Sequence, residues 1–453
     1  MAISSTWVIA VDDGSNCTHF QRTIGSGAKM FCNSQPMIRV ALAIAIALSN
    51  GAMLWSQGII VSTAGPVNRS MGGASVAAPI DALGAIYWNP ATISGLAHNE
   101  TAFGLDLLYA NQTVSSSVGP FSGSTESEAG SFPIPNIGWV HKTPFRALTV
   151  GLGVNGIAGF KTNLRADPTN PALAPAPLGL GRVSSEASFM QLAPVASVAL
   201  NDHLSVAAGP TITTGQIGFE PFVFAAPNAN GHYSSAQATR YRWGGGFQTG
   251  VYYVYSDALR FGASFKSPTW MQQFEFYGED EFGGPRALEL DLDLPMIVSV
   301  GTSLVTQNGW LFALDLRYID FAHTDGLGDR AVFDATGKLG GLDWSSVFVT
   351  ALGVEKLLSP AWTARGGYTF NQNPIKNSEA FYNIASPLIY QHMLSSGLSF
   401  NASEILAVNL GYSYMIENTR TGQLILPSGP IPGSTIANAM DAHFLSFGLT
   451  IRH

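Results

Sequence analysis

The chain contains 453 residues, of which 46% are hydrophobic but only 11% are charged, whereas soluble domains usually carry about 25% charged residues. Its net charge of −8 argues against a nucleic-acid partner, because phosphate binding requires a basic surface. No apolar run in the sequence approaches the roughly 18 to 20 residues that a membrane-spanning helix needs. If the chain spans a membrane, it therefore does so with β-strands.

A signal sequence is predicted near the N-terminus. Arg39 precedes the apolar run Val40–Leu48, and small residues follow that run, which is the order found in secretory signal peptides. We therefore expect 37–56 to be a signal peptide and 1–36 to be a mis-assigned extension. The alternative is that the extension is genuine.

Cysteine chemistry is not expected in the exported chain. The two cysteines, Cys17 and Cys32, both precede the apolar run of the signal, so neither a disulfide nor a cysteine metal site is expected after processing. The sequence indicates no cofactor and no metal.

The segment 57–98 is rich in small residues and lacks long alternating runs. Glycine allows close packing of the backbone, and the residue before a proline tends to end a helix. A compact segment ahead of a barrel is suited to filling the lumen, so we predict that 57–98 forms a hatch. Its motif residues are Gly72, Gly73, Asn89, Pro90 and Ala91. We expect Asn89, Pro90 and Ala91 to anchor the hatch and Ser62–Asn68 to move.

From about residue 99 to residue 453, apolar and polar residues alternate in runs that turn-rich stretches separate. This period of two predicts β-strands. The clearest run extends from Leu288 to Val300, with its leucines expected on the lipid face and Glu289, Asp291 and Asp293 in the lumen. Strands that are apolar outside and polar inside are typical of transmembrane barrels, which must close because lipid tolerates no free edge.

We therefore predict an all-β fold: a transmembrane antiparallel barrel of about 14 strands over 99–453, with the hatch inside its lumen. Short connectors would be periplasmic turns. The longer connectors, expected to be extracellular loops, are 117–131, 161–182, 220–238, 323–343, 371–386 and 418–437.

Charged residues on the polar phase of these strands are expected to face the lumen. Their simplest role is mutual pairing that holds strands and hatch in place. An alternative is that one arginine binds a ligand carboxylate through a bidentate contact. The candidates for that role are Arg240, Arg242, Arg317 and Arg365, and the other charges expected to face inwards are Arg260, Lys266, Glu289, Asp291, Asp293, Asp315 and Glu355.

Two of the long loops carry apolar residues where polar ones are expected. Phe222 and Phe224 lie in one loop, and Leu178 and Leu180 lie in another. Exposed apolar patches usually mark interaction sites, so the two loops could form the walls of a ligand-capture groove. The alternative is a hydrophobic loop folded onto its neighbours.

Three short motifs carry a resemblance to a known family: Asn-Arg-Ser-Met-Gly-Gly-Ala at 68–74, Asp-Ala at 81–82 and Trp-Asn-Pro-Ala at 88–91. They resemble the N-terminal hatch of the FadL family of outer-membrane transporters for long-chain fatty acids and aromatic hydrocarbons. Further short motifs occur along the chain in the same order as in the family, and the resemblance extends over 58–453. The resemblance implies an outer-membrane barrel with a plug, a hydrophobic ligand site in the lumen and a side opening where the third strand kinks.

The resemblance also implies a function. The protein would be a passive transporter of a hydrophobic small molecule, a fatty acid or an aromatic hydrocarbon, and would act as a monomer surrounded by outer-membrane lipid. Loops would capture the ligand, the lumen would bind it, and hatch movement would allow lateral exit. The expected opening lies at Gly153, Gly156 and Gly159, where glycine permits a bulge.

Enzymatic functions are not expected. Residues 151–156 match the pattern G-x-G-x-x-G, but no helix is predicted after it, as binding of a dinucleotide requires. His392 and Ser396 share a strand face, which would suit a barrel lipase. However, Leu394 and Leu398 share that face too, and the sequence contains no G-x-S-x-G elbow.

Two non-enzymatic alternatives remain. One is a structural or adhesive barrel that transports nothing. The other is a porin for polar solutes, which needs an open, watery channel that a hatch would obstruct.

Overall fold

The structure, a computed structural model, describes residues 59–453 except 146, 237–239, 281 and 283. The expected extension 1–36 and signal peptide 37–56 lie outside the described residues. Within the described ranges, no helix is both long enough and apolar enough to cross a membrane.

A closed antiparallel barrel of 14 strands forms the body of the protein. Successive strands pair with one another, and β1 closes the barrel by pairing with both β2 and β14. The predicted antiparallel barrel of about 14 strands is thereby confirmed. The strands are β1 (Glu100–Val118), β2 (Ser131–Lys142), β3 (Leu148–Leu164), β4 (Val183–Ala199), β5 (Leu204–Glu220), β6 (Arg242–Val254), β7 (Leu259–Lys266), β8 (Ile297–Val305), β9 (Trp310–Ile319), β10 (Val347–Ser359), β11 (Trp362–Asn371), β12 (His392–Asn401), β13 (Leu406–Gly422) and β14 (Thr435–Arg452).

The alternation of residue types places an apolar surface towards lipid. Along β2, for example, Ile137 and Trp139 are exposed on the outside, whereas Asn136 and Val140 are buried on the inside. The ladder hydrogen bonds pair the backbone groups within the sheet, so apolar side chains can face hydrocarbon without leaving polar backbone there.

Short turns connect the strands at one end of the barrel and long loops connect them at the other. We assign the short turns to the periplasm and the loops to the cell exterior, as in other barrels of this kind. The loop 117–131 is itself partly a hairpin, because Phe121–Glu126 pairs with the upper part of β1. Further loop elements are the strands Trp270–Met271, Phe274–Glu279, Pro285–Leu290, Ile425–Leu426 and Gly429–Pro430 and the 3-10 helix Asn377–Glu379.

The expectation of one lipid-facing strand over Leu288–Val300 is wrong. Pro285–Leu290 pairs with Phe274–Glu279 in a loop hairpin, and β8 begins only at Ile297. Outside the membrane the outer side of a hairpin meets water instead of lipid, so its leucines turn inwards and its acids turn outwards. The buried residues are Leu288, Leu290, Leu292 and Leu294, and the exposed acids are Glu289 and Asp291.

The segment 59–98 crosses the lumen. It forms α1 (Gly65–Ser70), α2 (Ala82–Trp88) and the 3-10 helix Pro90–Gly95. α1 packs against β1 and β12 to β14, whereas the 3-10 helix packs against β4 to β6 on the opposite wall. Contacts with opposite walls show that this segment, hereafter the hatch, lies inside the barrel.

The barrel wall is lined with glycine where the hatch touches it. A Cβ atom on any of these glycines would meet hatch atoms at or below ordinary contact distance. The absence of side chains brings the two backbones close together and leaves little empty space. This glycine collar comprises Gly104, Gly138, Gly250, Gly262, Gly353, Gly367, Gly397, Gly411 and Gly448.

Candidate functional site

An apolar groove of about 340 Å³ opens among the extracellular loops. Its walls include Leu178, Leu180 and Tyr233, and Phe333 and Phe381 from later loops. The side of the groove formed by Leu178 faces water, since this residue is 84% exposed. An apolar ligand would gain about 25 cal/mol for each Å² of apolar surface it removes from water here.

Phe222 and Phe224 do not line this groove. Both residues are buried, and their rings pack against each other and against Phe219. The loop is thus folded onto its neighbours, which is the second of the two sequence-based alternatives. Phe224 instead lines a smaller cavity of about 40 Å³, which adjoins the groove because Leu180 and Phe333 contribute to both.

A cavity of about 30 Å³ lies where the hatch meets the barrel wall. Ile60 and Tyr87 of the hatch line it, together with Ile157 of β3 and Lys266 of β7. We call it the hatch cavity. It combines apolar walls with one positive charge, the Lys266 ammonium group.

The backbone ladder between β2 and β3 is incomplete. The two strands pair up to Asn136 and Asn155 and not beyond, towards the cell exterior. β2 itself continues, with β1 as its partner, so among the described residues 131–135 have no strand partner in β3. A cavity of about 40 Å³ at this β2–β3 gap is lined by Phe132 and Gly159.

A bulge in β3 lies beside the gap. The register between β3 and β4 shifts between Gly156 and Ala158. Up to Asn155 the odd-numbered residues of β3 face inwards, whereas from Phe160 the even-numbered residues do so. One extra residue therefore reverses the two faces of the strand. A strand assigned by period alone misses this reversal.

Gly156 and Gly159 border the β2–β3 gap. A Cβ on Gly156 would lie 2.5 Å from Cγ2 of Ile134, and one on Gly159 would lie 3.3 Å from a ring carbon of Phe132. The side chains of Ile134 and Phe132 therefore fill the space in front of these glycines.

Gly153 has different surroundings. It pairs with Gly138 of β2 and Ala193 of β4, so the sheet is complete on both sides of it. A Cβ on Gly153 would lie 2.8 Å from Cγ2 of Ile86 in α2. Its position fits packing against the hatch better than a place in the opening.

The beginning of the hatch covers the free edge of β3. The amide of Val61 donates to the carbonyl oxygen of Ile157 at 2.9 Å, and the amide of Gly159 donates to that of Ile59 at 3.3 Å. Ile59–Val61 thus takes part of the place of β2 beside the bulge. An exposed strand edge invites unwanted pairing, and the hatch satisfies this edge from inside.

Asp315 and Arg317 of β9 clamp the middle of the hatch. The two side chains are fully buried and paired at 2.9 Å. The Asp315 carboxylate accepts hydrogen bonds from the amides of Ser75 at 2.8 Å and Val76 at 3.0 Å, and Arg317 donates to the carbonyl oxygen of Gly73. Because a buried charge is costly unless it is paired, these contacts indicate a structural role for both residues.

A second buried ion pair escaped the sequence analysis. Arg69 of α1 and Asp106 of β1 are fully buried and lie 2.9 Å apart. Asp106 is also bonded by the side-chain amide of Asn136, at 3.1 Å. The alternation along β1 places Asp106 on the inward face, which could have been used to predict a charge in the lumen. Its partner Arg69 lies in the hatch, however, and no pattern within a strand identifies that partner.

The other carboxylate-binding candidates are also paired or lie elsewhere. Arg365 bonds Glu355 at 2.7 Å, and Arg242 bonds Glu275 of the loop hairpin at 2.8 Å. Arg240 was expected in the lumen, but it is exposed at a bend before β6. That expectation is wrong because β6 begins only at Arg242, so strand phase does not apply to Arg240.

The hatch motif makes specific contacts. The side-chain amide of Asn89 donates to the carbonyl oxygens of Val76 at 2.7 Å and Val251 at 2.9 Å, while its side-chain oxygen caps the following 3-10 helix. Gly72 and Gly73 have φ values of 62° and 83°, a left-handed conformation that side chains disfavour. The motif therefore combines an anchor to β6 with a tight turn.

His392 and Ser396 lie on the outer face of β12, as their shared phase with Leu394 and Leu398 predicts. The His392 ring bonds the hydroxyl group of Tyr368 at 2.7 Å and packs on Phe370. This outward, aromatic setting is typical of a membrane-interface belt.

Comparisons with known proteins agree on the fold. The family model described as outer membrane protein transport protein (OMPP1/FadL/TodX) matches residues 40–429. A search of curated protein sequences gave no significant match.

Solved structures resemble the barrel over most of its length. A FadL homologue of Pseudomonas aeruginosa is 14% identical, with 87% of this chain and 99% of that chain covered and a TM-score of 0.68. The toluene transporter TodX of Pseudomonas putida is 14% identical, with coverages of 86% and 99% and a TM-score of 0.63. The toluene transporter TbuX of Ralstonia pickettii is 16% identical, with coverages of 86% and 98% and a TM-score of 0.61. At these identities the likeness shows the fold alone.

Proposed function

Because the chain belongs to the OMPP1/FadL/TodX family of outer-membrane transport proteins, we propose that it is a passive transporter of long-chain fatty acids or aromatic hydrocarbons. Such molecules dissolve in hydrocarbon but are held back by the charged outer leaflet. A useful transporter must therefore capture them, carry them past the headgroups and release them sideways into the membrane.

Capture is assigned to the extracellular groove. Leu178 and Leu180 supply apolar surface there, and burial stabilises an acyl chain by about 0.8 kcal/mol per CH₂ group. Phe224 belongs to the next, smaller cavity, whose walls adjoin the groove. The two cavities supply a first step from water into the protein.

Passage requires the hatch to move locally. Asn89, Pro90 and Ala91 remain as the anchor, since Asn89 bonds the barrel and caps the helix that follows it. The stretch that moves is Ser62–Asn68, and the short pairing of Ile59–Val61 with β3 attaches the chain just before it.

Exit is assigned to the β2–β3 gap, and the missing ladder there is the observation that carries the proposal. Where the strand pairing of the barrel wall is complete, a ligand would have to break it. At the gap it needs to displace only side chains, chiefly Phe132 and Ile134, and the hatch segment behind them.

A disulfide across the gap tests this exit. The Cβ position of Gly156 lies 3.7 Å from Cβ of Ile134, within the about 3.5 to 4.5 Å that a disulfide needs. In the double variant Ile134→Cys/Gly156→Cys, oxidation should reduce uptake of labelled oleate and toluene to background. Reduction should restore uptake.

The controls are Ile134→Cys and Ile134→Ser/Gly156→Cys, each of which carries one thiol of the pair, and the serine in the second leaves room for a side chain at position 156. Both should import ligand whether oxidised or reduced. Uptake at the parental rate by the fully oxidised double variant would overturn lateral exit. If the parent imports neither ligand, an adhesive barrel becomes the better interpretation. Large steady currents through the parent in planar bilayers would favour a porin.

A further inference from the structure

Prolines are rare in the barrel strands and lie where the strand pairing stops. In the part of the chain that the structure describes, the fourteen barrel strands contain four prolines. Pro133 and Pro135 lie in β2 beside the β2–β3 gap. Pro194 of β4 and Pro210 of β5 lie opposite each other in the register of these strands, where residues 193–195 have no partner in β5. Proline has no N–H group to donate to a ladder, so it is normally confined to edge strands and bulges.

The N–H groups that the two prolines of β2 lack would point at β3. Along a strand, successive N–H groups point alternately to the two neighbouring strands. The amide of Lys142 donates to the side-chain oxygen of the residue before β1 at 2.7 Å, and that of Thr143 donates to the carbonyl oxygen of Leu148 in β3 at 3.1 Å. Because β2 keeps one register with both neighbours, its odd-numbered residues bond towards β3. Pro133 and Pro135 are odd-numbered, so the donors are missing from the edge that faces the gap.

The hatch occupies the edge of β3 that β2 leaves free. The amide of Val61 donates to the carbonyl oxygen of Ile157 at 2.9 Å, and the amide of Gly159 donates to that of Ile59 at 3.3 Å. β2 is joined to β3 by a short turn, and strands joined in this way usually pair with each other. A β2 with a complete set of donors would therefore compete with the hatch for the same edge.

We propose that Pro133 and Pro135 are positioning residues of the lateral exit, which withhold from β3 the donors that would close the sheet and thereby leave its edge to the hatch. The inference rests on the proposed exit through the β2–β3 gap and names the residues that keep this gap open. A proline inside a barrel wall costs ladder hydrogen bonds in a setting where lipid offers no replacement. Two prolines on one edge thus fit a role in function better than a role in stability.

The side chains at the two proline positions point away from the interior of the gap. Pro133 and Pro135 are exposed on the outer face of β2, whereas Phe132 and Ile134 lie on the inner face. A valine at either proline position would therefore meet lipid with its side chain. What it adds to the gap is an N–H group.

The test is the double variant Pro133→Val/Pro135→Val, since valine favours strands and can donate to a ladder. Hydrogen exchange should show protected amides at positions 133 and 135 and a faster-exchanging amide at Val61, because β2 takes the edge from the hatch. Uptake of labelled oleate and toluene should fall towards background, while the unfolding temperature should stay the same or rise. A merely disruptive substitution would lower that temperature.

Pro194→Val is the matched control. It supplies a donor at the other interrupted ladder and also lies on the outer face of its strand. Its amide should become protected, and uptake should stay at the parental rate. If the double variant does not assemble, Pro135→Val, next to the last formed pair of β2 and β3, should show a protected amide at position 135 and a partial loss of uptake.

The inference and the proposed function fail separately. An assembled double variant with freely exchanging amides at positions 133 and 135 and parental uptake would overturn the role of the prolines and leave transport standing. Loss of uptake in Pro194→Val as well would overturn the specific role of β2. Protected amides in the double variant with parental uptake would instead overturn the exit through the gap. A parent that imports neither ligand would contradict the proposed transport function.

Discussion

Asn89 in the hatch donates its side-chain amide to the carbonyl oxygen of Val251 in β6, at a distance of 2.9 Å. The same amide group also bonds Val76, so one residue ties two parts of the hatch to the barrel wall. Both carbonyl groups would lose a buried donor in Asn89→Ala, at a cost of about 1 to 3 kcal/mol.

We therefore expect Asn89→Ala to lower the thermal stability of the barrel and to raise its conductance in planar bilayers, because the hatch is less firmly held. The matched control is Asn230→Ala in an exposed loop, which should behave like the parent. Parental conductance and stability in Asn89→Ala would show that this contact does not hold the hatch.

Two adjacent glycines of β11 provide a test of the glycine collar. A Cβ on Gly367 would overlap the amide nitrogen of Gly72 in the hatch, whereas one on Gly366 would meet Cγ1 of Val354 at an ordinary 3.5 Å. Gly367→Ala should therefore displace the hatch and destabilise the protein by about 1 to 3 kcal/mol. Gly366→Ala should be nearly neutral. Equal unfolding temperatures for the two variants would contradict the collar.

Arginine substitutions can test whether Pro285–Leu290 lies in a loop hairpin outside the membrane, as described above, while β8 faces lipid. Val300 lies on the outer face of β8 and is 49% exposed, so Val300→Arg near mid-bilayer should cost about 2 to 4 kcal/mol. Glu289 faces water, opposite Glu275 of the hairpin, so Glu289→Arg should be tolerated. Heat-modifiability on gels measures both. Assembly of Val300→Arg at the parental level, with failure of Glu289→Arg, would reverse our placement of the two residues.

The buried Asp81 carboxyl group of the hatch leads us to expect that the stability of the folded protein depends on pH. Burial raises the pKa of the Asp81 carboxyl from 3.8 to about 7, and the nearby Glu100 carboxylate adds to this rise. Since the folded protein keeps a proton that the unfolded chain loses, the contribution of this group to stability is complete below about pH 4 and is lost as pH rises through about 7. Asp81→Asn keeps an oxygen that can cap α2 but cannot ionise.

The unfolding temperature of the parent should therefore fall between about pH 5 and pH 8, and that of Asp81→Asn should fall less. Melting curves at the two pH values give the comparison. A fall of the same size in both proteins would assign the pH dependence to other groups.

The barrel could be predicted from sequence because lipid imposes a local rule on each strand. Val298 and Val300 face outwards beside Ser299 facing inwards, and similar alternation recurs along the chain. The hatch was also predictable, since Gly72, Gly73 and Asn89 stand in a compact, small-residue segment ahead of the strands. Neither inference needs knowledge of which distant residues meet.

Only the tertiary structure decided what lies on each side of an alternating run. Leu292 and Val300 obey the same period, yet one is buried under a loop and the other faces lipid, because the solvent outside the sheet changes at the membrane surface. It also decided the partners of the charges: Arg69 meets Asp106, while Lys266 meets Tyr87. The β2–β3 gap, too, could be found only in the tertiary structure. Pairing between strands depends on non-local register, which a period of two within each strand does not encode.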